Sequence, residues 1–152
     1  MKQKLRHSIL NRLRHFAGRF NLTEFEAALI DQLLNSAQPS TRRIIRNQMC
    51  KFNRVRRVLH ADDRIDHGST TFYWHRFGRS RFSEFTDRLI CEGGTEEMEL
   101  GRCIAIDSDQ RTIRVRFHAL MGIFTQITFR SDDRIWYPIG EFEIRELVLN
   151  GI

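Results

Sequence analysis

A clear amphipathic pattern covers residues 41–60, which read TRRIIRNQMCKFNRVRRVLH, and it constrains the fold more than any other stretch. Its apolar side chains recur every three or four residues, the spacing that puts them on one face of an α-helix. Pro39 disfavours helical geometry at Gln38, so Ser40 or Thr41 is placed to cap the start. The pattern therefore predicts one helix across the whole stretch. Its apolar positions are Ile45, Met49, Phe52, Val55 and Leu59.

Basic side chains occupy the other side of this predicted helix, and no acidic residue lies within the stretch. A solvated polar face is one interpretation of such a strip, since most charged helix faces simply meet water. Anion binding is the other, because guanidinium groups make planar, bidentate contacts with phosphate or carboxylate. On the second interpretation, the candidate binding residues are Arg43, Arg46, Arg54 and Arg57.

Two further helices are predicted before this one. Residues 4–20 carry apolar side chains at helical spacing, and residues 23–37 begin with a capping box in which Thr23 and Glu26 satisfy each other's backbone N–H groups. Short joints separate the three segments, as in a helical bundle. A helix-turn-helix reader of DNA would have a basic helix in the third position. The proline in the second joint and the length of the third helix argue against that motif.

The sequence after residue 69 changes to the alternating pattern of β-strands. Strands are predicted over residues 70–77, 100–107, 112–117, 123–130 and 140–149, whereas residues 82–91 fit either a helix or a strand. Residues 100–107 and 112–117 should form a hairpin with Ile104 and Ile106 facing the apolar side chains of the second strand. Cys103 is predicted to be in the core, and Arg114 and Arg116 to point outwards.

These patterns predict an α+β fold, with an N-terminal three-helix segment packed on a C-terminal antiparallel sheet or small barrel. The predicted division is a basic helical segment at 1–60, a joint at 61–68 and a β part at 69–152, together forming one compact domain. The chain of 152 residues is long enough to bury a core of that size.

Charge is distributed unevenly between the two parts. Residues 1–60 hold 13 of the 25 Lys and Arg residues but 3 of the 19 acidic ones, a net charge of +10 against −4 for the remainder. A basic segment of this kind favours an anionic partner without identifying it. We expect that partner to be nucleic acid or a protein with an acidic surface.

Motifs for catalysis or cofactor binding are absent from the sequence, which has no phosphate-binding glycine loop, no H-E-x-x-H, no G-x-S-x-G and no C-x-x-C. No cofactor and no metal are therefore predicted. Two weaker possibilities for an enzyme are His118 as a base near Arg114 and Arg116, and a metal site in the loop from Asp62 to His67. A solvated loop and a structural histidine are the simpler interpretations.

Three widely spaced cysteines and the lack of a signal peptide or a transmembrane run predict a cytoplasmic protein. The first functional hypothesis is a non-enzymatic binding protein whose Arg-rich helical face contacts nucleic acid. The alternative is a small bacterial immunity or antitoxin-type protein that binds and neutralises another protein. An enzyme is the third and weakest hypothesis, and the oligomeric state is left open.

Overall fold

The computed structural model describes residues 21–61, 66–77, 79–90, 96–131 and 141–151. Within them, two α-helices precede a series of β-strands and one short 3₁₀ helix. The helices are α1 (Glu24–Ser36) and α2 (Pro39–Lys51), and the 3₁₀ helix is Phe82–Glu84. The strands are β1 (Arg54–Ala61), β2 (Asp66–Tyr73), β3 (His75–Arg76), β4 (Arg79–Ser80), β5 (Glu97–Asp107), β6 (Thr112–Leu120), β7 (Ile123–Ser131) and β8 (Phe142–Leu149).

Local sequence explains where the two helices begin and how they meet. The predicted capping box is present at the start of α1, where the Thr23 hydroxyl accepts from the Glu26 N–H and the Glu26 carboxylate accepts from the Thr23 N–H. Pro39 occupies the first position of α2, where its missing N–H costs nothing. Arg42 of α2 then donates to three carbonyl oxygens at the end of α1, those of Leu34, Asn35 and Ala37.

The prediction of a third helix is wrong beyond Lys51. The predicted three-helix segment at 1–60 is therefore wrong as well. The chain leaves α2 at Lys51 and enters β1 at Arg54, so residues 54–61 belong to the sheet. A period of two was hard to read there because Arg57 occupies an inward position beside apolar Val55. The predicted first helix at 4–20 lies outside the described residues.

The predicted α+β class agrees with the structure, whose main sheet has six antiparallel strands in the order β1-β2-β7-β6-β5-β8. Strands β1 and β8 are its two edges, so the described strands form an open sheet. The predicted joint at 61–68 spans the end of β1 and the start of β2, which pair with each other. A separate two-stranded ribbon, β3–β4, follows β2. No helix among the described residues has the length and apolar character needed to cross a membrane.

Both helices contribute to a core on one side of the sheet, which we call the inner face. Phe25 of α1 packs against Phe129 and Phe142, with ring centroids 5.8 and 5.0 Å away. A second group of rings joins the end of α2 to the strands through contacts of 5.3–6.4 Å between centroids. Its members are Phe52, Phe72, Phe85, Phe117 and Phe124. Burial of these rings together with the aliphatic side chains around them is the main driving force for folding.

The β5–β6 hairpin is confirmed, but its predicted facing is wrong for β5. Cys103 and Ala105 are buried on the inner face, as predicted for Cys103, whereas Ile104 and Ile106 lie half-buried on the outer face. The small inner side chains of β5 lie opposite larger ones of β6, Cys103 beside Val115 and Ala105 beside Ile113. Small side chains of β5 thus pack beside larger ones of β6 on the inner face, as close packing requires.

Buried Gln48 attaches α2 to the sheet. Its side-chain NH₂ donates to the carbonyl oxygens of Asp87 (2.8 Å) and Gly122 (3.0 Å), and its oxygen accepts from the Phe124 N–H at 2.9 Å. Gly122 has φ +78, and a Cβ there would lie 2.5 Å from the Leu89 carbonyl oxygen. The close approach of two backbone segments at this point therefore requires glycine.

Buried Glu26 attaches α1 to the sheet by a bidentate ion pair with Arg57 of β1. The Arg57 Nε lies 2.8 Å from one carboxylate oxygen of Glu26 and its Nη2 lies 2.5 Å from the other. Thr70 of β2 donates its hydroxyl proton to the same carboxylate at 2.6 Å, and Arg57 also donates to the Asn21 carbonyl. Because both oxygens have several donors, the desolvated charge is compensated.

Replacing Glu26 is expected to be far more costly than replacing its neighbour. We predict that Glu26→Ala lowers the free energy of unfolding by about 3–5 kcal/mol, because it leaves Arg57 without its buried partner. Glu24→Ala in the same helical turn, where the side chain is exposed, should cost less than about 1 kcal/mol. Urea unfolding of both variants measures the difference, and equal losses would contradict the assigned role of the ion pair.

Candidate functional site

The outer face of the sheet carries four exposed arginines on three adjacent strands. The register places Arg102 of β5 directly opposite Arg116 of β6, and Arg114 of β6 directly opposite Arg130 of β7. Arg114 and Arg116 are two residues apart and therefore lie on the same side of β6. We call this set the arginine face; its members are Arg102, Arg114, Arg116 and Arg130.

Electrostatic repulsion within the arginine face is only partly offset. Like charges placed directly opposite each other in a sheet are destabilising. Arg116 has a carboxylate oxygen of Glu99 at 3.7 Å, a long contact between partly exposed groups. Neither Arg102 nor Arg130 forms an ion pair with any residue in the described ranges. Arg114 has an interaction of its own, and Glu146 lines the same groove. Four arginines against the two carboxylates of Glu99 and Glu146 leave a net positive charge that an anion would offset.

The arginine face lines an open groove with a volume of about 880 Å³. Hydroxyl and amide side chains from β2 and β7 form its floor beside the arginines, and β8 forms the far side. Such groups donate hydrogen bonds to phosphate oxygens as arginine does. The floor residues are Ser69, Gln126 and Thr128, and those from β8 are Glu146 and Val148.

His118 follows Arg116 by two residues along β6 and therefore also lies on the outer face of the sheet. One ring nitrogen is 2.9 Å from the Thr128 hydroxyl, and the other is 3.6 Å from a carboxylate oxygen of Glu97. Burial lowers the pKa of His118 below its usual 6.5; Glu97 and Glu99 oppose this effect, and Arg116 adds to it. The ring is therefore neutral at pH 7, and the positive charge of this face comes from arginine.

The predicted helical arginine strip is divided between two elements. Arg43 and Arg46 are exposed on α2, whereas Arg54 and Arg57 belong to β1 and point to opposite faces of the sheet. Arg54 lies 3.4 Å from a ring nitrogen of His75, and Arg57 is bound to buried Glu26. The four residues do not form one surface, and nothing in the structure tests a binding role for Arg43 and Arg46.

The proposed metal loop falls largely outside the described residues. Asp62 and Asp63 lie outside them, while Asp66 and His67 begin β2. Among the residues that the structure describes, no group of three or more His, Cys, Asp or Glu side chains is arranged to hold a metal ion.

Sequence reasoning found half of the arginine face. The alternation in TIRVRF indicates that Arg114 and Arg116 point outwards, and this is what the structure shows. Arg102 and Arg130 join them through strand register, which depends on the β-bulge between Glu99 and Gly101 and on the pairing of β6 with β7. The R-x-R pattern of Arg114 and Arg116 in β6 is the sequence feature that indicates a basic outer face.

Comparisons of the chain with models of protein families, with curated proteins and with solved structures yield no match.

The lowered pKa of His118 predicts a dependence of stability on pH. As the pH falls below 6.5, the unfolded chain binds the proton before the folded chain does, so the free energy of unfolding should decrease until the folded-state pKa is reached. His118→Gln should make the free energy of unfolding less dependent on pH in this range. Glu97→Gln should make it more dependent on pH, because it removes a negative charge that raises the pKa of His118. Urea unfolding across this pH range provides the test. The assignment fails if wild type and His118→Gln give the same profile.

Proposed function

We propose that the protein is a non-enzymatic binding protein that contacts the phosphate backbone of nucleic acid through the arginine face. The observation that carries the proposal is the pair of directly opposed arginines, Arg102 with Arg116 and Arg114 with Arg130. A sheet that places like charges opposite each other loses stability, and a bound polyanion compensates for that loss. Arginine also suits phosphate because its guanidinium group binds in a bidentate manner.

The extent of the arginine face favours a polymer over a small anion. Arg130 and Arg102 are separated by two strand spacings and by two residues along the strand, a distance of roughly 12 Å between their backbones. A single phosphate group is too small to contact all four guanidinium groups at once. A chain of phosphates can contact each in turn, with Ser69 and Thr128 supplying hydrogen bonds between them.

An acidic protein is the alternative partner, and one observation favours it. The side of the arginine face towards β8 has half-buried Ile104 and exposed Val148, which are suited to a protein interface. Such a partner fits the immunity or antitoxin-type function expected from sequence. Nucleic acid is preferred because four arginines outnumber the two apolar side chains on this face, where Ile104 lies opposite Arg114 and Val148 lies opposite Arg102.

A cytoplasmic location is part of the proposal. Cys50 and Cys103 are free thiols, the first exposed on α2 and the second buried in the core. Burial raises the pKa of Cys103 to about 12, so that this thiol stays protonated and inert. An exposed free thiol such as that of Cys50 is compatible with a reducing compartment.

Removing charge from the arginine face should weaken binding and its dependence on salt. We predict that Arg102→Gln with Arg130→Gln reduces the affinity for a labelled oligonucleotide and lowers the slope of log K against log salt concentration. The expected change is about 0.7 per lost contact for single strands and about 0.9 for duplex. Fluorescence anisotropy at several salt concentrations provides both quantities.

The matched control removes the same charge from α2, with Arg43→Gln and Arg46→Gln, and should leave affinity and slope close to wild type. The proposal is wrong if the α2 variant loses binding and the sheet variant does not. It is equally wrong if the wild-type protein binds no oligonucleotide at low salt. Recovery of a bound acidic protein whose binding needs Arg102 and Arg130 would support the alternative instead.

A further inference from the structure

A small basic ribbon projects beyond the end of β2 and carries an exposed aromatic ring. We call it the basic finger; among the described residues it comprises β3, Phe77 and β4. The side chain of Phe77 is 86% exposed, in a protein whose other described phenylalanines are buried or half-buried. Arg76 and Arg79, on either side of Phe77, are paired across the ribbon and exposed. No acidic residue occurs between positions 67 and 83.

The base of the basic finger is firmly attached to the main fold. The Asn53 side chain makes two hydrogen bonds to the backbone of His75, accepting from its N–H at 2.9 Å and donating to its carbonyl at 2.7 Å. The Arg81 N–H donates to the Trp74 carbonyl at 2.9 Å, and the Trp74 indole N–H donates to Glu84 at 2.8 Å. The position of Phe77 is therefore preorganised by the fold.

The conformation of Phe77 is unfavourable for folding by itself. Its φ is +52, in the left-handed region where a bulky side chain is strained and glycine or asparagine is preferred. The exposed ring buries little apolar area to offset this strain. The Arg76 guanidinium carbon lies 5.5 Å from the ring centroid, a cation–π contact that helps to hold the ring in place. Met121, in the turn between β6 and β7, has the same φ of +52, so the near-complete exposure of the ring is what distinguishes Phe77.

The basic finger follows directly after β2 along the chain. Every second side chain of β2 points to the outer face, and these are Ser69, Thr71 and Tyr73. The chain enters β3 two residues after Tyr73. Ser69 lies in the same cross-strand row as Thr128, Arg116 and Arg102. A strand advances about 3.3 Å per residue, so Tyr73 lies roughly 13 Å from that row in the direction of the basic finger. A bound strand of nucleic acid can follow this path.

We infer that Phe77 stacks on an unpaired base of single-stranded nucleic acid, while Arg76 and Arg79 contact the phosphates beside that base. This inference depends on the proposed function, and it specifies the ligand as single-stranded. Aromatic rings next to basic side chains bind single strands because every base offers a flat π surface. In a duplex the base surfaces are stacked on each other, so the ring has nothing to stack on without unstacking the helix.

The test compares Phe77→Ala with wild type, using labelled oligothymidylate of about 20 nucleotides, longer than the roughly 4–16 nucleotides covered by one small domain. Loss of one stacked base should weaken single-strand binding by about 5- to 150-fold. The salt slope should be unchanged, because no charge is removed. Binding to a duplex of equal length should change much less. Phe77→Trp should retain the wild-type affinity for the single strand.

Ile90→Ala is the matched control, because Ile90 is as exposed as Phe77 and lies outside the basic finger. It should bind the single strand as wild type does, and thermal melting should show all variants folded. The inference is overturned if Phe77→Ala binds the single strand normally while Arg102→Gln with Arg130→Gln loses binding; that outcome leaves the proposed function intact. Absence of binding by the wild type overturns both. Phe77-dependent binding to vesicles rich in phosphatidylserine, without an effect on oligonucleotide binding, also overturns the inference and indicates a membrane ligand.

Discussion

The bidentate ion pair between Glu26 and Arg57 determines how the helical and β parts of the fold are joined. A carboxylate without solvent exposure is stable only when its charge is compensated, and here Arg57, Thr70 and the backbone of Thr23 supply the donors. These donors come from β1, from β2 and from the start of α1. One buried group thereby ties the start of α1 to β1 and β2, while Phe25 of the same helix packs against Phe129 of β7 and Phe142 of β8.

The helices cover the inner face, whereas the arginines of the outer face are exposed. Gln48 completes the attachment by joining α2 to the start of β7, and the aromatic core fills the space between helices and sheet. Strand alternation then directs every second side chain of β5, β6 and β7 away from the core. The sequence uses several of these outward positions for arginine, although opposed like charges weaken the sheet. The fold thus presents a charged surface on a scaffold whose stability comes from the other side.

The sequence predicted several helices and strands correctly, but it did not predict how the strands pair or which side chains meet across them. The capping box at Thr23, the hairpin of residues 100–107 with 112–117 and the burial of Cys103 were readable because each depends on local pattern. The sequence did not predict the strand at residues 54–61, because the charged Arg57 occupies an inward-facing position. That position tolerates a charge because Arg57 forms an ion pair with buried Glu26. The pairing of Arg114 with Arg130 and of Arg102 with Arg116 depends on register, to which a bulge contributes. Long-range partners of this kind leave no periodic trace in one sequence.

The central claim is that the outer face of the sheet is the binding surface for nucleic acid. Two-dimensional ¹H–¹⁵N spectra of the labelled protein, recorded during titration with oligothymidylate, test it most directly. The account predicts that the largest shifts occur at the arginine Nε–H groups of Arg102, Arg114, Arg116 and Arg130 and at the backbone amides around them. Shifts confined to α2 around Arg43 and Arg46, with the arginine face unaffected, would contradict it.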